Sequence, residues 1–421
     1  MSDHEAPPCC ALSTVVSPVD LKITVRKDPT RPYVGLENIL SRGTHLVGWS
    51  LASSSISTNS VFEAGDVLFG KLRPNLRKCV IAPFDGYCST DILVLRPNID
   101  IDPSFAGKVL RTERVGAAAE MTAVGTKMPR TSWKHLSELK VFCPVRPEQS
   151  KIAHVLDTLD TVIHETEAII AKLKAVKQGL LHDLLTRGID ANGELRPPQA
   201  EVPRLYKESP LGWIPKEWAY KTFGALCESS AFGPRFPSDA YDERGPIAAL
   251  RTTDMDGEGN ISLATMPRAA ISPAVLADHL LRAGDIVISR SGTCGVTGVF
   301  AWHDIPVVPG AFLIRFRMHD VHFSRFYRRY FNSVKGRPYL ERLAVGGVQK
   351  NIKGSDVLSL LVPTPSTAEA VAIAERIEAI EAHTEANQQL LNKLELQKAG
   401  LMDDLLTGRV RVTPLLESAA S

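Results

Sequence analysis

The segment from Pro144 to Thr186 recurs without a gap as Pro365 to Thr407, at a constant offset of 221 residues. GLLHDLLTRG at 179–188 is answered by GLMDDLLTGR at 400–409. Glu148 falls on Glu369, Ile152 on Ile373, Leu173 on Leu394, Lys177 on Lys398 and Asp183 on Asp404. Self-similarity of this extent means one structural unit written twice. Upstream the match weakens and drifts. Ala64-Gly65-Asp66-Val67-Leu68 resembles Ala283-Gly284-Asp285-Ile286-Val287 at an offset of 219, and Pro32 to Leu36 loosely resembles Pro246 to Leu250 at 214. One part of the unit has kept its length while the other has gained and lost residues.

The part that kept its length is helical. From about Glu148 to Thr186 an apolar seam runs through Ile152, Leu156, Leu159, Ile163, Thr166, Ile170, Leu173, Lys177, Leu180 and Leu184, in alternating steps of four and three. That is a heptad pattern. The second copy reads Ile373, Ile377, Ile380, Thr384, Asn387, Leu391, Leu394, Lys398, Leu401 and Leu405. Pro147 and Pro365 precede the two runs and no proline interrupts them, as helix starts require. At ~1.5 Å per residue each helix is a rod of roughly 58 Å. With a globular domain before each helix, the simplest arrangement is an antiparallel pair. Thr166 and Asn387, and Lys177 and Lys398, are polar at matching seam positions. They either fix the register of the pair or mark where it splays and admits water. Helix one carries a second stripe, Val155, Val162, Ile169 and Val176, whose counterparts are Arg376, His383, Leu390 and Gln397. Its wider apolar face provides for a partner subunit or for one of the chain's own domains.

At 421 residues the chain has room for several domains, and 44% hydrophobic with 23% charged residues is ordinary globular composition. The boundaries read as a flexible N-terminal tail (1–17), a first domain (18–144), helix one (145–189), a polar, Pro-rich connector (190–215), a second domain (216–364), helix two (365–410) and a C-terminal tail (411–421). The seven cysteines form no C-x-x-C pair, which suits reduced thiols in a cytoplasmic protein. The N-terminus lacks the basic and apolar regions of a secretory signal, and no apolar run reaches membrane-spanning length.

Both domains mix short β-like runs with Gly- and Pro-marked turns, an α+β reading. Net charge is only +2 overall but is unevenly spread. Residues 18–144 hold 17 Lys+Arg against 12 Asp+Glu, residues 216–364 hold 18 against 14, and 365–410 hold 4 against 8. Two basic domains and an acidic helix suit a polyanion gripped at two points. After the Ala-Gly-Asp strand, Lys71, Arg73, Asn75, Arg77 and Lys78 lie on one loop, and Arg290, Ser291 and Thr293 on its equivalent. A second matched pair carries Lys127 and Arg130 in one repeat and Gln349, Lys350 and Asn351 in the other. Such side chains reach phosphates and base edges of double-stranded DNA, although a solvated hairpin would look similar. Lys134, Arg235, Arg251 and Lys353 complete the DNA-binding candidates. In Phe323 to Phe331 the aromatics fall on one helical face, which reads as core with Arg325, Arg328 and Arg329 solvated.

The combination of Ala64–Leu68 and Ala283–Val287, Pro144/Glu148 and Pro365/Glu369 at the helix entries, the helix ends 179–186 and 400–407, and the connector Ser209-Pro-Leu-Gly-Trp-Ile-Pro-Lys-Glu-Trp218 resembles the specificity subunits of type I restriction-modification systems, over about residues 20–410. The resemblance implies an α+β chain of two repeated target recognition domains separated by an antiparallel two-helix coiled coil, pseudo-twofold symmetric. Each domain would read one half of a split, asymmetric DNA target, with the helices setting the spacer. It also implies assembly with two modification subunits, which bind S-adenosylmethionine and methylate adenine, and optionally with motor-nuclease restriction subunits. Domain one departs from the pattern in lacking a counterpart of Gly-Trp-Ile-Pro-Lys-Glu-Trp, and Cys9-Cys10 has no assigned role. An enzyme should show more. The chain has no Asn/Asp-Pro-Pro-aromatic motif, no Gly-x4-Gly-Lys-Ser/Thr loop and no evident catalytic or metal-ligand set, so neither catalysis nor a cofactor of its own is expected. The competing classes are a coiled-coil scaffold with two protein-binding domains and a stand-alone DNA enzyme.

Overall fold

The computed structural model describes residues 7–24, 30–52, 58–346 and 350–417. The chain divides into two units, one made of 1–169 with 387–421 and the other of 170–386. The division cuts both long helices, Arg146–Thr186 and Thr367–Leu405, so each unit holds one globular domain and half of each helix.

In the first unit an antiparallel sheet runs in the order Val16–Pro18, Ile92–Pro97, Val67–Gly70, Cys79–Ile81. A second, five-stranded sheet contains a parallel pair, Pro32–Val34 beside Gly86–Cys88. The second unit repeats this plan. Its antiparallel sheet runs Cys227–Phe232, Leu313–Met318, Ile286–Ser289, Thr297–Val299, and its parallel pair is Ile247–Leu250 beside Val307–Pro309. The loose Pro32/Pro246 match therefore marks equivalent strands.

The expected N-terminal tail is corrected over its described residues. Cys9–Ala11 is a strand paired antiparallel with Lys140–Phe142, and Leu12, Val15 and Val16 are fully buried. Its counterpart is Ala219–Thr222, which pairs with Leu361–Thr364. The Leu12 N–H donates to Leu139 O at 2.9 Å as Phe223 N–H donates to Leu360 O at 2.7 Å. Domain one thus has the edge strand that follows Gly-Trp-Ile-Pro-Lys-Glu-Trp in domain two. An edge strand needs only backbone pairing and alternate apolar side chains, so little sequence identity marks it.

Within each unit the two helix halves run antiparallel. In the first, Asp160 of helix one pairs with Lys398 of helix two, and Glu148 at the start of helix one holds Arg411 (2.7 Å) and Thr413 (2.7 Å) beyond the end of helix two. In the second, Lys177 meets Glu381 (3.0 Å), and Glu369 at the start of helix two accepts from Arg196 (2.6 Å) and the Ile189 N–H (2.9 Å) beyond helix one. The Glu of each Pro-x-x-x-Glu entry is thus a clamp on the chain leaving the other helix. Glu148 is buried, which favours its neutral form. The bonds from Arg411 and Thr413 outweigh that and hold it below the usual carboxylate range. The C-terminal residues join the first unit, with Val412 buried.

The seam residues Ile152, Leu156 and Leu405 are buried against the first domain, and Ile373 and Ile377 against the second. The helix Phe323–Asn332 presents Phe323, Phe326, Tyr327, Tyr330 and Phe331 to the core, as its periodicity requires. Its arginines are not all solvated. Arg329 is 6% exposed and pairs with Glu381, while Arg328 is half-buried and donates to Asn260. Arg325 and Arg329 are turned toward helix two, where Glu378 and Glu381 receive them.

Candidate nucleic-acid interface

The Ala-Gly-Asp motif is the base of the site in each repeat. Gly65 and Gly284 adopt positive φ, +91° and +89°, which favour glycine. The aspartate closes the turn and is fully enclosed. Asp66 accepts the Glu63 N–H (2.8 Å) and two bonds from Arg96 on the neighbouring strand (2.8 and 2.9 Å). Asp285 accepts the Arg282 N–H (2.8 Å) and two bonds from Arg317 (2.9 and 2.7 Å). Charge-assisted paired bonds of this kind fix direction as well as energy. They hold the strand whose far end launches the basic loop.

The two candidate loops of each domain meet. In domain one Leu72 bridges Arg130, Arg73 N–H donates to Pro129 O (2.8 Å) and Thr131 N–H to Lys71 O (3.0 Å). In domain two Ser291 bridges Asn351, and Ile352 N–H donates to Arg290 O (2.9 Å). Arg73 and Arg77 take left-handed backbone angles, φ 51° and 52°, flanking a single turn at Pro74–Leu76. Non-glycine residues held in this region mark a backbone over-determined by its surroundings.

The candidates separate by environment. Arg73, Asn75, Lys127 and Lys134 are exposed, and Lys71 is half-buried. None of these cations has an ion pair among the described residues. Arg77 is turned inward, its guanidinium meeting Glu113 (3.1 Å) and Glu120 (3.2 Å), and Lys78 donates to Leu36 O (2.6 Å). Those two are struts of the loop rather than free cations: the helix Glu113–Met121 supplies the acids to Arg77, and the Leu36 carbonyl holds Lys78. Arg130 is engaged by Asp91 (2.9 Å). In domain two Lys350, Asn351, Lys353, Thr293 and Arg235 are exposed, and Gln349 lies outside the described residues. Arg290 lies over the Phe232 ring at 4.6 Å and its Nε, buried, has no hydrogen-bond partner among the described residues. Ser291 is buried. Arg251 binds Asp254 (2.8 Å) and Thr265 O (2.7 Å). Burial acts against the Asp254 charge, yet the Arg251 bonds hold this carboxyl below its usual range.

The polar seam candidates are ion-paired or internally bonded. Lys177 reaches Glu258 and Glu381, Lys398 reaches Asp160, and buried Thr166 donates to Val162 O (2.7 Å). Asn387 is half-buried. Of the second stripe, Val155 packs on its domain, while Val162 (37%), Ile169 (48%) and Val176 (47%) are exposed. Sequence reading missed Arg96 and Arg317, which sit on the strand paired beside the motif strand but about 30 residues further along the chain. It also missed Lys108 and took Arg329 as solvated, although their spacing of 221 residues was available as a signal.

Among the described residues no helix is long and apolar enough to cross a membrane. A family model for the type I restriction modification DNA specificity domain matches residues 25–175 and again 215–396. The putative type I restriction enzyme MjaX specificity subunit of Methanocaldococcus jannaschii is 26% identical over 367 residues, covering 83% of this chain and 79% of the relative. The type I restriction enzyme EcoDI specificity subunit of Escherichia coli is 28% identical over 179 residues, 40% of this chain and 37% of the relative. In fold the chain is similar to the type I restriction-modification system S subunit from M. genitalium (TM-score 0.58, 14% identity, 96% of this chain and 97% of that one). It is also similar to a chain from a study of complex assembly and conformational transition of the type I R-M system (TM-score 0.56, 18% identity, 97% and 100%). Each matched segment contains one copy of the Ala-Gly-Asp strand and of the two loops that meet beyond it, and the chain belongs to the type I restriction modification DNA specificity domain family, with that domain present twice.

Proposed function

We propose that the chain reads a bipartite, asymmetric double-stranded DNA target, one half with each domain, and directs the chemistry of partner subunits without catalysis of its own. The observation that carries this reading is the meeting of two loops in each repeat, at equivalent places, with amides and with cations that make no ion pair among the described residues. Lys71, Arg73, Asn75, Lys127 and Lys134 serve one half-site, and Arg235, Arg290, Thr293, Lys350, Asn351 and Lys353 the other. Different side chains at equivalent positions suit two different half-sites. The exposed stripe Val162, Ile169 and Val176 is the contact for modification subunits, which carry the S-adenosylmethionine. Restriction subunits join optionally.

Gel-shift and methylation assays of the chain, alone and with its modification subunits, test this. Binding should be sequence-specific and weaken steeply with salt. Retention of protein partners with no DNA binding in any assembly would instead favour the scaffold reading. The ruler has its own test. Seven residues inserted between Asp160 and Lys177 in helix one, matched by seven between Glu381 and Lys398 in helix two, preserve the heptad and every ion pair above. At ~1.5 Å per residue the helices lengthen by about 10 Å, roughly three base pairs of B-DNA at ~3.4 Å each. An unchanged spacer in the modified target refutes the ruler.

A further inference from the structure

A buried charge cluster joins each domain to the helices, and the repeat reproduces it member for member. In the first unit Lys108, on the domain helix Pro103–Leu110, is 3% exposed and contacts Asp157 (2.7 Å) and Asp160 of helix one. Asp160 also receives Lys398 of helix two. In the second unit Arg329, on Phe323–Asn332, contacts Glu381 of helix two and lies 4.0 Å from Glu378. Glu381 also receives Lys177 of helix one. Lys108 and Arg329, Asp157 and Glu378, Asp160 and Glu381, and Lys177 and Lys398 are each separated by 221 residues. Both repeats thus keep a domain cation, an acid on one helix and a lysine on the other.

We infer that this cluster is a positioning joint: it sets the orientation of each domain on the helix pair and thereby the spacing at which the two half-sites are read. This rests on the function proposed above. Three observations carry it. The acid stands one turn beyond the last residue that the starting end of its helix buries in the adjoining domain core, Leu156 before Asp160 and Ile377 before Glu381. Apolar packing alone leaves a pivot, because it is non-directional. The ionic contact one turn further along supplies the missing direction. The cluster also borders an open space rather than sealed core. A cavity of about 540 Å³ adjoins Lys108, Arg111, Asp160 and His164, and one of about 920 Å³ adjoins Lys177, Glu258, Arg329 and Glu381. Beside those spaces a few charged contacts decide the angle. Finally, buried ion pairs contribute little net stability compared with apolar replacements, so their presence at equivalent places in both repeats points to geometry.

The joints differ in charge balance. In the first, Lys108 and Lys398 share Asp160. Burial penalises the Asp160 charge, but the two ammonium groups hold its carboxyl below the usual range. Lys398 is pushed down by burial, beyond what Asp160 restores. In the second, Lys177 has two carboxylates, Glu258 and Glu381, which raise it despite burial.

Lys108→Met alone strands Asp157, whereas Asp160 keeps Lys398, so the test uses Lys108→Met/Asp157→Asn, which removes the domain cation together with the carboxylate it would strand and leaves the Asp160–Lys398 pair in place. Spin labels at the exposed positions Asn75 and Glu165 of the full chain report the domain-to-helix distance by pulsed electron resonance. The double variant should melt within a few degrees of wild type yet at least double the width of the distance distribution, and Lys108→Arg should keep the narrow one. An unchanged width overturns the joint whether or not DNA is bound. With modification subunits present, methylation is compared on duplexes whose spacer is native or altered by one base pair. Discrimination between them should fall about tenfold in the double variant, equivalent to ~1.4 kcal/mol. A broadened distribution with spacer discrimination intact overturns the functional half. Absence of specific DNA binding by the wild-type assembly refutes the proposed function, and the distance measurement still judges the joint.

Discussion

Replacing the motif aspartate with alanine in each repeat, Asp66→Ala and Asp285→Ala, removes the same acceptor set from two different surroundings. At Asp66 the loss comprises one backbone cap and two bonds from Arg96. A cap is worth about 1 kcal/mol and a bond to a charged group about 1.5–3 kcal/mol. Arg96 is 43% exposed and regains water when its partner leaves, so the low end applies, and a total of about 2–3 kcal/mol follows. Asp285 has an additional neighbour. Arg315, 3% exposed, lies 4.0 Å away, and its other partners are Ser229 and the carbonyl of Asp278. Burial and the adjacent Arg317 already push Arg315 down, with Asp285 the main opposing charge. Asp285→Ala strands a buried cation, for which about 3–5 kcal/mol is expected. Urea denaturation of the full chain, followed by circular dichroism, measures both. In thermal melts each kcal/mol is worth about 2–4 °C for units of this size. Equal costs, or costs below about 1 kcal/mol at both sites, would refute the argument that the aspartate neutralises the strand arginines.

Four further outcomes are expected. Gly284→Ala should destabilise more than Gly65→Ala, since both suffer the positive φ but only at Gly284 would the new Cβ approach Val321 Cγ2, at 1.9 Å; denaturation midpoints measure the difference. Stability should fall in acid. Glu148 and Asp160 have folded values below their unfolded ones, so their contribution is complete above about pH 4.5 and disappears as pH drops through the folded values. Melting temperature against pH shows this, and Glu148→Gln should flatten the slope. Deleting residues 1–17 should destabilise the first unit by several kcal/mol, because Leu12, Val15 and Val16 each contribute about 1.5–3 kcal/mol of burial; a truncated chain that melts like the full one would contradict the edge strand. Val162→Asp with Ile169→Asp should leave the melting temperature nearly unchanged while weakening co-elution with modification subunits, and undiminished co-elution would remove the stripe from that interface.

The long helices were legible because a heptad is a local, periodic constraint, and because identical length in two copies survives as an ungapped match. The Ala-Gly-Asp motif was legible for a similar reason: a turn needing positive φ selects glycine at one position. The edge strand Cys9–Ala11 was not, since backbone pairing leaves side chains free to differ. Nor were the roles of the basic residues. Arg73 and Arg77 sit on the same loop and read alike in sequence, yet one is exposed while the other is spent on Glu113 and Glu120.

By itself, then, the sequence determined the duplication, the two helices, their common length and the places where loops must turn, all of which depend on spacing along the chain. Tertiary structure alone decided which cations remain available, which acids neutralise the others, and how Lys108 and Arg329 meet the helices. These depend on proximity between residues far apart in sequence. An ion pair such as Arg196–Glu369 forms across 173 positions, and no local pattern encodes its partner.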